Sequence, residues 1–282
     1  MGCGGRQPPP PATGDRPAPP GGPAGTRHAP PLAPWDAALP RRYDQPMQDR
    51  DRPATAASID LGQVAAIIPV RGLERAKTRL GEALDPEERH ALVEGLLRWT
   101  IRAAVATPGI RAVAVVSPDP EALALAADAG AVTLPQGGGG LNEGLADGRA
   151  WAREMGATAV LVIPADLPAI RTSELRRVLE AARDHLAAGV TGTGAAGTAV
   201  TSLVVLVADR AREGTNLLLV APPGAIPFRF GPGSRAAHAA AAARSGAVYL
   251  ELAGPLSLDL DTPDDLLAAE AIGLGGPVVG QP

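Results

Sequence analysis

The sequence predicts an α/β domain with a mostly parallel central sheet and helices on both faces. From residue 62 onward, short apolar runs alternate with longer segments whose apolar residues recur at helical spacing. The runs are continuous and β-branched, as in "VAAIIPV" (64–70), which is typical of strands buried on both sides. Such an alternation favours parallel strands, because each helix carries the chain back to the start of the next strand.

The predicted elements follow one another in a regular series. After the first strand, a helix begins behind an N-cap at Asp85, with Pro86 in its first position. The later elements are "AVAVVSP" (strand), "DPEALALAADAG" (helix, ending at Gly130), "AVTLPQ" (strand), "LNEGLADGRAWAREMG" (helix), "TAVLVIPADLP" (strand) and "TSELRRVLEAARDHLAAG" (helix). We therefore expect one domain over residues 61–273.

Residues 1–60 differ in composition from the rest of the chain. Fourteen of the 30 prolines lie before residue 54, and no apolar period survives there. We expect a disordered tail over 1–60, because such a segment buries too little apolar surface to offset the entropy of ordering. A flexible tail is expected at 274–282. Translation starting near Met47 is an alternative that would remove most of the first tail.

Composition also limits the partners and the compartment. No apolar run reaches the 18 residues that a membrane span needs, and "MGCGGRQ" lacks the apolar stretch of a signal peptide. A net charge of −4 argues against a nucleic-acid partner. Cys3 is the only cysteine, so the chain offers no disulfide or cysteine-based metal site. We expect a cytoplasmic protein.

The loop after the first strand carries an unusual lysine. Ligands of such sheets bind beyond the carboxyl ends of the strands, where "VRGLERAKTRL" places Arg71, Lys77 and Arg79. Of the 26 lysine and arginine residues, Lys77 is the only lysine. Fixed positive groups suit a triphosphate, and a compact ammonium can follow a departing phosphate. The alternative is a solvated surface charge. The chain contains no Walker A motif, and no G-x-G-x-x-G follows the first strand.

Three aspartates suggest a metal site. Asp166 lies between two prolines in "PADLP", and Asp259 and Asp261 share one face of "LSLDLDTPDDL" if the backbone is extended. Neighbouring carboxylates repel unless a cation lies between them, so this set suits Mg²⁺ on a triphosphate. The alternative for Asp166 is a turn or N-cap aspartate. Asp264 and Asp265 are expected in the first turn of the last helix.

Two further stretches have anion-binding chemistry. "DRAREGTNLLL" is expected to present Thr215 and Asn216 in a loop before an apolar run. "FRFGPGSRAAH" is expected to place Ser234 as the cap of an alanine-rich helix, whose free N–H groups could bind phosphate or carboxylate. His238, four residues later, would share the helix face of Ser234. The alternative is a capped helix without a ligand.

These segments, together with "IIPVRGLERAKTRL" and "LNEGL", resemble the 2-phospholactate/phosphoenolpyruvate guanylyltransferases of coenzyme F420 biosynthesis over about residues 64–272. The resemblance implies a Rossmann-like nucleotidyltransferase (GT-A-like) fold in a single domain. It also implies that the phosphate of phosphoenolpyruvate or 2-phospho-L-lactate attacks the α-phosphorus of GTP and expels pyrophosphate. Such a phosphate is already anionic, so no general base is needed. The arginine, alanine and proline bias favours a bacterial, phosphoenolpyruvate-using member, with 3-phosphoglycerate also open.

The resemblance assigns roles to individual positions. The acceptor acid would be held by Thr215, Gly231 and Ser234. The Mg²⁺ ligands would be Asp166, Asp259 and Asp261. The GTP phosphates would be bound by Arg71, Lys77 and Arg79, with Lys77, Arg79 and Asp166 as the catalytic group. Asn142, preceded by "QGGGG", would lie near the guanine or the ribose.

Some features of the sequence depart from the family pattern and are compatible with other classes of protein. The chain departs from the family between Thr191 and Val200, where "TGTGAAGTAV" is rich in small residues, and at "VADR" before the predicted acceptor loop. A metal-dependent glycosyltransferase and a silent nucleotide-binding protein remain alternatives. A molybdenum-cofactor guanylyltransferase is disfavoured, because its glycine-rich first loop is absent. The unstable product of the implied reaction suggests that it is handed directly to the next enzyme.

Overall fold

The structure is a computed structural model that describes residues 1–2, 59–73, 77–191 and 200–271. The predicted N-terminal tail lies outside the described residues apart from residues 1–2 and 59–60. The predicted C-terminal tail at 274–282 and residues 192–199 of the atypical segment also lie outside them. The disorder predicted for both tails therefore stays a prediction.

The described residues contain seven strands and six helices in largely alternating order. They are β1 (Val64–Pro69), α1 (Pro86–Val105), β2 (Ile110–Ser117), α2 (Pro120–Asp128), β3 (Val132–Pro135), α3 (Leu141–Glu154), β4 (Ala159–Val162), α4 (Thr172–Thr191), β5 (Leu203–Ala208), β6 (Thr215–Ala221), α5 (Ser234–Ser245), β7 (Val248–Leu252) and α6 (Pro263–Ala271). A 3₁₀ turn, Thr78–Glu82, follows β1. Every element predicted from β1 to α4 is present.

The seven strands form one sheet in the order β3-β2-β1-β4-β6-β5-β7. Pairing is parallel among β3, β2, β1 and β4, and between β5 and β7. Strand β6 is antiparallel to both β4 and β5, because a short turn joins β5 directly to β6. The prediction of a mostly parallel sheet is confirmed.

The turn between β5 and β6 is built around one aspartate. Asp209 accepts hydrogen bonds from the backbone N–H groups of Glu213 and Gly214, both at 2.8 Å. Arg212 within the turn has a φ of 60° and donates its N–H to the Asp209 carbonyl. A side-chain-capped turn of this kind lets the chain reverse in a few residues, which sends β6 back between β4 and β5.

The sheet is buried on both faces by helices. Val64, Ala66 and Ile68 of β1 belong to one apolar cluster, which also contains buried residues of α1, α2, α4 and α6. Ala65 and Ile67 belong to a second cluster, which includes buried residues of α3 and α5. The continuous apolar run in β1 is explained by this two-sided burial.

The predicted helix ends are largely confirmed. Asp85 caps α1 in a capping box with Glu88, and Pro86 occupies the first position. Gly130, with a φ of 89°, follows α2 directly after its C-cap residue. Asp264 and Asp265 lie in the first turn of α6, as predicted. Local sequence signals therefore set these boundaries.

Among the described residues, no helix is both long enough and apolar enough to cross a membrane.

Helix α3 lies so close to the sheet at Gly148 that a side chain cannot be added without a shift. A Cβ atom there would be 2.7 Å from Ile67 Cγ2 and 3.2 Å from Val116 Cγ2. We expect Gly148→Val to lower the free energy of unfolding by about 2 kcal/mol, because it overpacks two core residues. Urea unfolding measures this change.

Ala146→Val is the matched control, since Ala146 is exposed on the same helix. It should cost about 0.5 kcal/mol from helix propensity alone. Equal losses in the two variants would contradict the close approach of α3 to β1 and β2.

Candidate active site

A cavity of about 930 Å³ opens at the carboxyl ends of β1, β2 and β4. Its walls are the loops after these strands, the start of α3, and two residues from later in the chain. The charged residues that line it are Arg71, Lys77, Arg79, Asp119, Glu121, Asp166 and Asp261. Five predicted site residues therefore meet at the edge of the sheet where ligands of such folds bind.

Lys77 joins two of the predicted aspartates. Its Nζ atom lies 2.6 Å from Asp166 Oδ2 and 2.6 Å from Asp261 Oδ1. The three residues come from the loop after β1, the loop after β4 and the segment before α6. The Lys77 side chain is only 11% exposed, so the alternative of a solvated surface charge does not hold for this lysine.

Both the backbone and the charge of Lys77 are unusual. Its φ and ψ of 57° and 38° are left-handed, a conformation that costs a non-glycine residue about 1 kcal/mol or more. Burial opposes the charge of the ammonium, but attraction and hydrogen bonds from Asp166 and Asp261 outweigh burial and raise the pKa of Lys77. The lysine is therefore held as a fixed cation within the site.

Asp259 lies beside this group but forms no hydrogen bond or ion pair with Lys77. Leu258 and Leu260 are buried, so the alternation along the segment turns Asp259 and Asp261 to the other side, as the sequence predicted. The Leu260 N–H donates to the Asp166 carbonyl at 3.0 Å, which ties the two aspartate segments together. Burial, followed by the charges of Asp166 and Asp261, raises the pKa of Asp259.

The aspartates fit a divalent cation by their chemistry. Carboxylate oxygens are the ligands that Mg²⁺ prefers. The pKa of Asp259 is raised by burial and then by the negative charges of Asp166 and Asp261, and a cation would relieve that repulsion. Within the described residues, however, no three His, Cys, Asp or Glu side chains are grouped closely enough to hold a metal ion. In this structure the cation between Asp166 and Asp261 is the Lys77 ammonium.

Arg71 and Arg79 supply further positive charge at the cavity. Both line it, and both are exposed. In the part of the chain that the structure describes, neither guanidinium forms an ion pair or hydrogen bond. They are thus available to an anionic ligand, unlike Lys77, whose charge is shared by two carboxylates.

Asp119 shapes the loop after β1. Its Oδ2 accepts a hydrogen bond from the Leu73 N–H at 2.9 Å, across 46 residues of sequence. Its Oδ1 accepts from the Glu121 N–H and so caps α2. One carboxylate therefore anchors Leu73, after β1, to the adjoining helix, and Asp119 was not among the predicted site residues.

A smaller cavity of about 290 Å³ adjoins the first. Both cavities are lined by Pro69, Val70, Arg71, Pro118 and Leu141. The smaller one also contacts the glycine-rich loop after β3, where Gln136 Nε2 donates to the carbonyls of Gly138 (2.9 Å) and Gly140 (3.0 Å). These bonds hold the loop before α3 in place.

Asn142 does not line either cavity. Its Nδ2 donates to the Phe230 carbonyl at 2.9 Å, and its Oδ1 accepts from the Phe230 N–H at 2.9 Å. The polar atoms of this side chain are therefore bonded to Phe230, and the predicted proximity of Asn142 to the guanine or ribose stays a prediction. The adjacent glycine-rich loop lines the smaller cavity instead.

Thr215 and Asn216 do not lie in a loop, so that prediction is wrong. They begin β6 and are buried, with Thr215 8% exposed. Thr215 Oγ1 lies 3.1 Å from His238 Nδ1, and Asn216 Nδ2 donates to the Leu256 carbonyl. The β5–β6 turn ends two residues earlier than the sequence indicated, because Asp209 closes it at Gly214.

Ser234 does not cap α5, contrary to the prediction. Gly233, with a φ of 68°, is the N-cap residue, and Ser234 is the first residue of the helix. Gly231, with a φ of 129°, accepts a hydrogen bond at its carbonyl from the Ser234 N–H. Ser234 and His238 do share one buried face of α5, as predicted.

His238 is fully buried between α5, β6 and the segment before α5. Its Nε2 accepts a hydrogen bond from the Arg229 N–H at 2.9 Å, so in the neutral ring Nδ1 carries the proton and donates to Thr215 Oγ1. The Phe230 ring packs edge-on against the imidazole at 5.0 Å. Burial lowers the pKa of His238 to about 4.

The residues that sequence reasoning missed had weak signals. Asp119 follows β2 as Asp166 follows β4, so its position after a parallel strand was a signal that it lies at the ligand-binding edge of the sheet. Phe230 and Gln136 gave no such signal, because their places depend on contacts across more than 80 residues or on the shape of one loop.

Comparison with known proteins is consistent with this geometry. The family described as "Guanylyl transferase CofC like" matches residues 64–275. The chain belongs to this family. The match covers most of the chain and includes every predicted site residue, so the resemblance inferred from the motifs is confirmed.

Individual CofC-like relatives are also similar along most of their length. A protein of Rubrobacter xylanophilus named phosphoenolpyruvate guanylyltransferase is 44% identical over 211 residues, which are 74% of this chain and 95% of the relative. One of the same name from Sphaerobacter thermophilus is 42% identical over 202 residues, 71% of this chain and 89% of the relative. The protein is therefore a guanylyltransferase.

A solved structure confirms the fold class. A nucleotidyl transferase from Methanothermobacter aligns with a TM-score of 0.50 at 18% identity, covering 75% of this chain and 97% of the other. The CofC-like protein thus has the nucleotidyltransferase fold that the sequence predicted.

The low pKa of His238 makes the stability of the protein pH-dependent. The pKa in the folded protein, about 4, is below the ordinary value of 6.5. Stability is therefore complete above pH 6.5 and falls between pH 6.5 and pH 4, because only the unfolded state binds the proton. The loss should reach about 3 kcal/mol at most, measured by urea unfolding at several pH values.

His238→Gln should remove this part of the pH dependence, since glutamine can accept from the Arg229 N–H without titrating. His185→Gln, at an exposed position of α4, is the control. It should retain the wild-type dependence of the free energy of unfolding on pH. A wild-type slope in His238→Gln would mean that His238 is protonated equally in both states.

Proposed function

We propose that the protein transfers the guanylyl group of GTP to phosphoenolpyruvate, forming enolpyruvyl-2-diphospho-5'-guanosine and pyrophosphate. The observation that carries the proposal is the position of Lys77. It bridges Asp166 and Asp261 in a cavity that Arg71 and Arg79 also line. The names of the relatives from Rubrobacter and Sphaerobacter support the choice of acceptor.

The charges of the cavity suit a triphosphate. Arg71 and Arg79 have no acidic partner in the described residues, so they can bind phosphate oxygens without breaking an existing ion pair. Lys77 is held nearby by two carboxylates. As pyrophosphate leaves, negative charge develops on the oxygen that bridged the α- and β-phosphates, and a fixed ammonium stabilises that charge.

Mg²⁺ is the cofactor we propose for this site. Asp166, Asp259 and Asp261 would supply its carboxylate ligands, once their side chains move closer together than they lie here. When bound, the ion would neutralise charge on the phosphate oxygens. Lys77 would then lose part of its attraction to Asp166 and Asp261 and become available to the triphosphate.

The nucleophile needs no base from the protein. The phosphate of phosphoenolpyruvate is anionic at neutral pH, and one of its oxygens forms the new bond to the α-phosphorus as the bond to the β-phosphate oxygen breaks. The protein's part is to hold the two substrates in line. His238 is unsuited to proton transfer at neutral pH, because its pKa is about 4 and both ring nitrogens are hydrogen-bonded.

The acceptor acid is proposed to lie against Gly231 and Ser234 at the start of α5. Phe230, the residue before Gly231, lines the large cavity, so the start of α5 adjoins the nucleotide site. The positive end of the α5 dipole favours an anion there, and the Ser234 and Arg235 N–H groups, which donate to the Gly231 and Glu213 carbonyls in this structure, would have to exchange those bonds to bind it. Thr215 would support this site indirectly. Its hydroxyl is bonded to His238 Nδ1, and His238 belongs to α5.

The product would be a phosphoanhydride between a three-carbon acid and GMP, consumed in coenzyme F420 biosynthesis. We include in the proposal a cytoplasmic location and direct transfer of the product to the next enzyme of that pathway. Copurification with that enzyme would test the transfer.

Pyrophosphate release tests the proposed reaction and its acceptor. We expect release from GTP with phosphoenolpyruvate, and much less with 2-phospho-L-lactate or 3-phosphoglycerate. ATP in place of GTP and chelation of Mg²⁺ should each abolish it. Equal release with ATP would contradict the proposal for GTP, and release that persists in chelator would contradict the proposal for Mg²⁺.

Lys77→Ala tests the role of the lysine. We expect a loss of about 100-fold or more in the transfer rate, because one preorganised charge is removed from the reacting phosphates. The melting temperature should change little, since the two aspartates are 30% and 46% exposed and can be solvated. Arg176→Ala, at an exposed ion pair on α4, is the control. Wild-type rates in Lys77→Ala would exclude the lysine from the reaction.

A further inference from the structure

The segment before α5 has no strand partner of its own. Residues 227–230 lie outside the helices and strands, although Phe230 lines the large cavity and Gly231 follows it. In a sheet, the N–H and carbonyl of one residue are held by a neighbouring strand. Here one side-chain amide, that of Asn142, holds both groups of Phe230 at 2.9 Å.

A second side chain holds the preceding residue. The Arg229 N–H donates to Nε2 of His238, whose ring also packs against Phe230. Asn142 belongs to the first turn of α3, and His238 belongs to α5. Two helices on the same face of the sheet thus fix two consecutive residues of an irregular segment.

The position of Asn142 relates this segment to the nucleotide side of the site. Leu141, its neighbour in α3, lines both cavities, and Gly144 lines the smaller one. The first turn of α3 therefore forms part of the cavity wall and, through Asn142, also holds the segment that leads into Gly231 and Ser234. A displacement of this turn would therefore change the distance between the nucleotide cavity and the segment that leads into Gly231 and Ser234.

We propose that Asn142 is a positioning residue that sets the acceptor loop at the correct distance from the nucleotide cavity. It acts through the backbone of Phe230, with His238 as a second support. The proposal rests on the proposed function, because it takes Gly231 and Ser234 as the acceptor side. It differs from a contact to the base, because both polar atoms of the Asn142 side chain are bonded to Phe230.

Helix α3 does not need Asn142 for its own packing. Leu145, Gly148 and Ala152 are buried against the sheet, whereas Asn142 is only partly buried at the end of the helix. Removing its amide should therefore leave the fold intact and release the segment at 227–230. We therefore expect the substitution to lower kcat/KM for the acceptor acid and to leave the affinity for GTP unchanged.

Asn142→Asp is the sharpest variant for a test. Its carboxylate can still accept from the Phe230 N–H, but its second oxygen faces the Phe230 carbonyl and repels it. We expect kcat/KM for phosphoenolpyruvate to fall roughly tenfold or more, with the dissociation constant of GTP, measured without acceptor, changed less than twofold.

Two other variants serve as comparisons. Asn142→Ala loses both hydrogen bonds to Phe230 and should show a similar loss of kcat/KM for phosphoenolpyruvate. Ala146→Asp adds the same charge to an exposed position of α3 and should behave as wild type.

Hydrogen exchange of a peptide covering 222–233 separates this proposal from the proposed function. Asn142→Ala should exchange faster there than wild type, whatever the substrate of the enzyme. If wild type turns over none of the three acids, the proposed function fails, while faster exchange would still establish Asn142 as the support of this segment. Unchanged exchange, or a tenfold weaker affinity for GTP with an unchanged KM for the acceptor, would overturn the proposal.

Discussion

The site depends on one buried ammonium between two carboxylates. Lys77, Asp166 and Asp261 are separated by up to 184 residues in sequence, yet they meet within 2.6 Å contacts. Without the lysine, Asp166, Asp259 and Asp261 would concentrate negative charge at the end of β4 and before α6. The Leu260–Asp166 backbone bond holds the two acidic segments together, so the lysine stabilises a charge arrangement that the sheet imposes.

Parallel strands and one antiparallel hairpin make different contributions to the site. The parallel strands β1, β2 and β4 end at the same edge and present the loops with Lys77, Asp119 and Asp166. The β5–β6 hairpin sets Thr215 beneath α5, where His238 bonds to its hydroxyl. The start of α5 then approaches the cavity through Phe230. The parallel strands therefore form the proposed nucleotide side of the site, and the antiparallel hairpin supports the proposed acceptor side.

Predictions about elements and about side chains differed in their success. The strands and helices from β1 to α4 were correct, since apolar periodicity and caps such as Asp85 act over a few residues. The rule about strand ends placed Lys77 and Asp166 at the same edge of the sheet, but the contacts of Lys77 with Asp166 and Asp261 were not predicted. The loop position of Thr215 and the cap at Ser234 were wrong, because Asp209 closes the turn at Gly214 and Gly233 takes the cap position of α5. The proximity of Asn142 to the guanine or ribose stays a prediction.

By itself, the sequence determined the α/β class, the family, and which charged residues gather at the carboxyl edge of the sheet. These follow from local patterns, because burial of a strand on two faces and capping of a helix act on neighbouring residues. The tertiary structure decided the partners: Lys77 between its carboxylates, His238 as a neutral ring, and Asn142 on the backbone of Phe230. A side chain's hydrogen bonds are settled by whichever groups the fold brings within 3 Å, and sequence spacing carries no record of that distance.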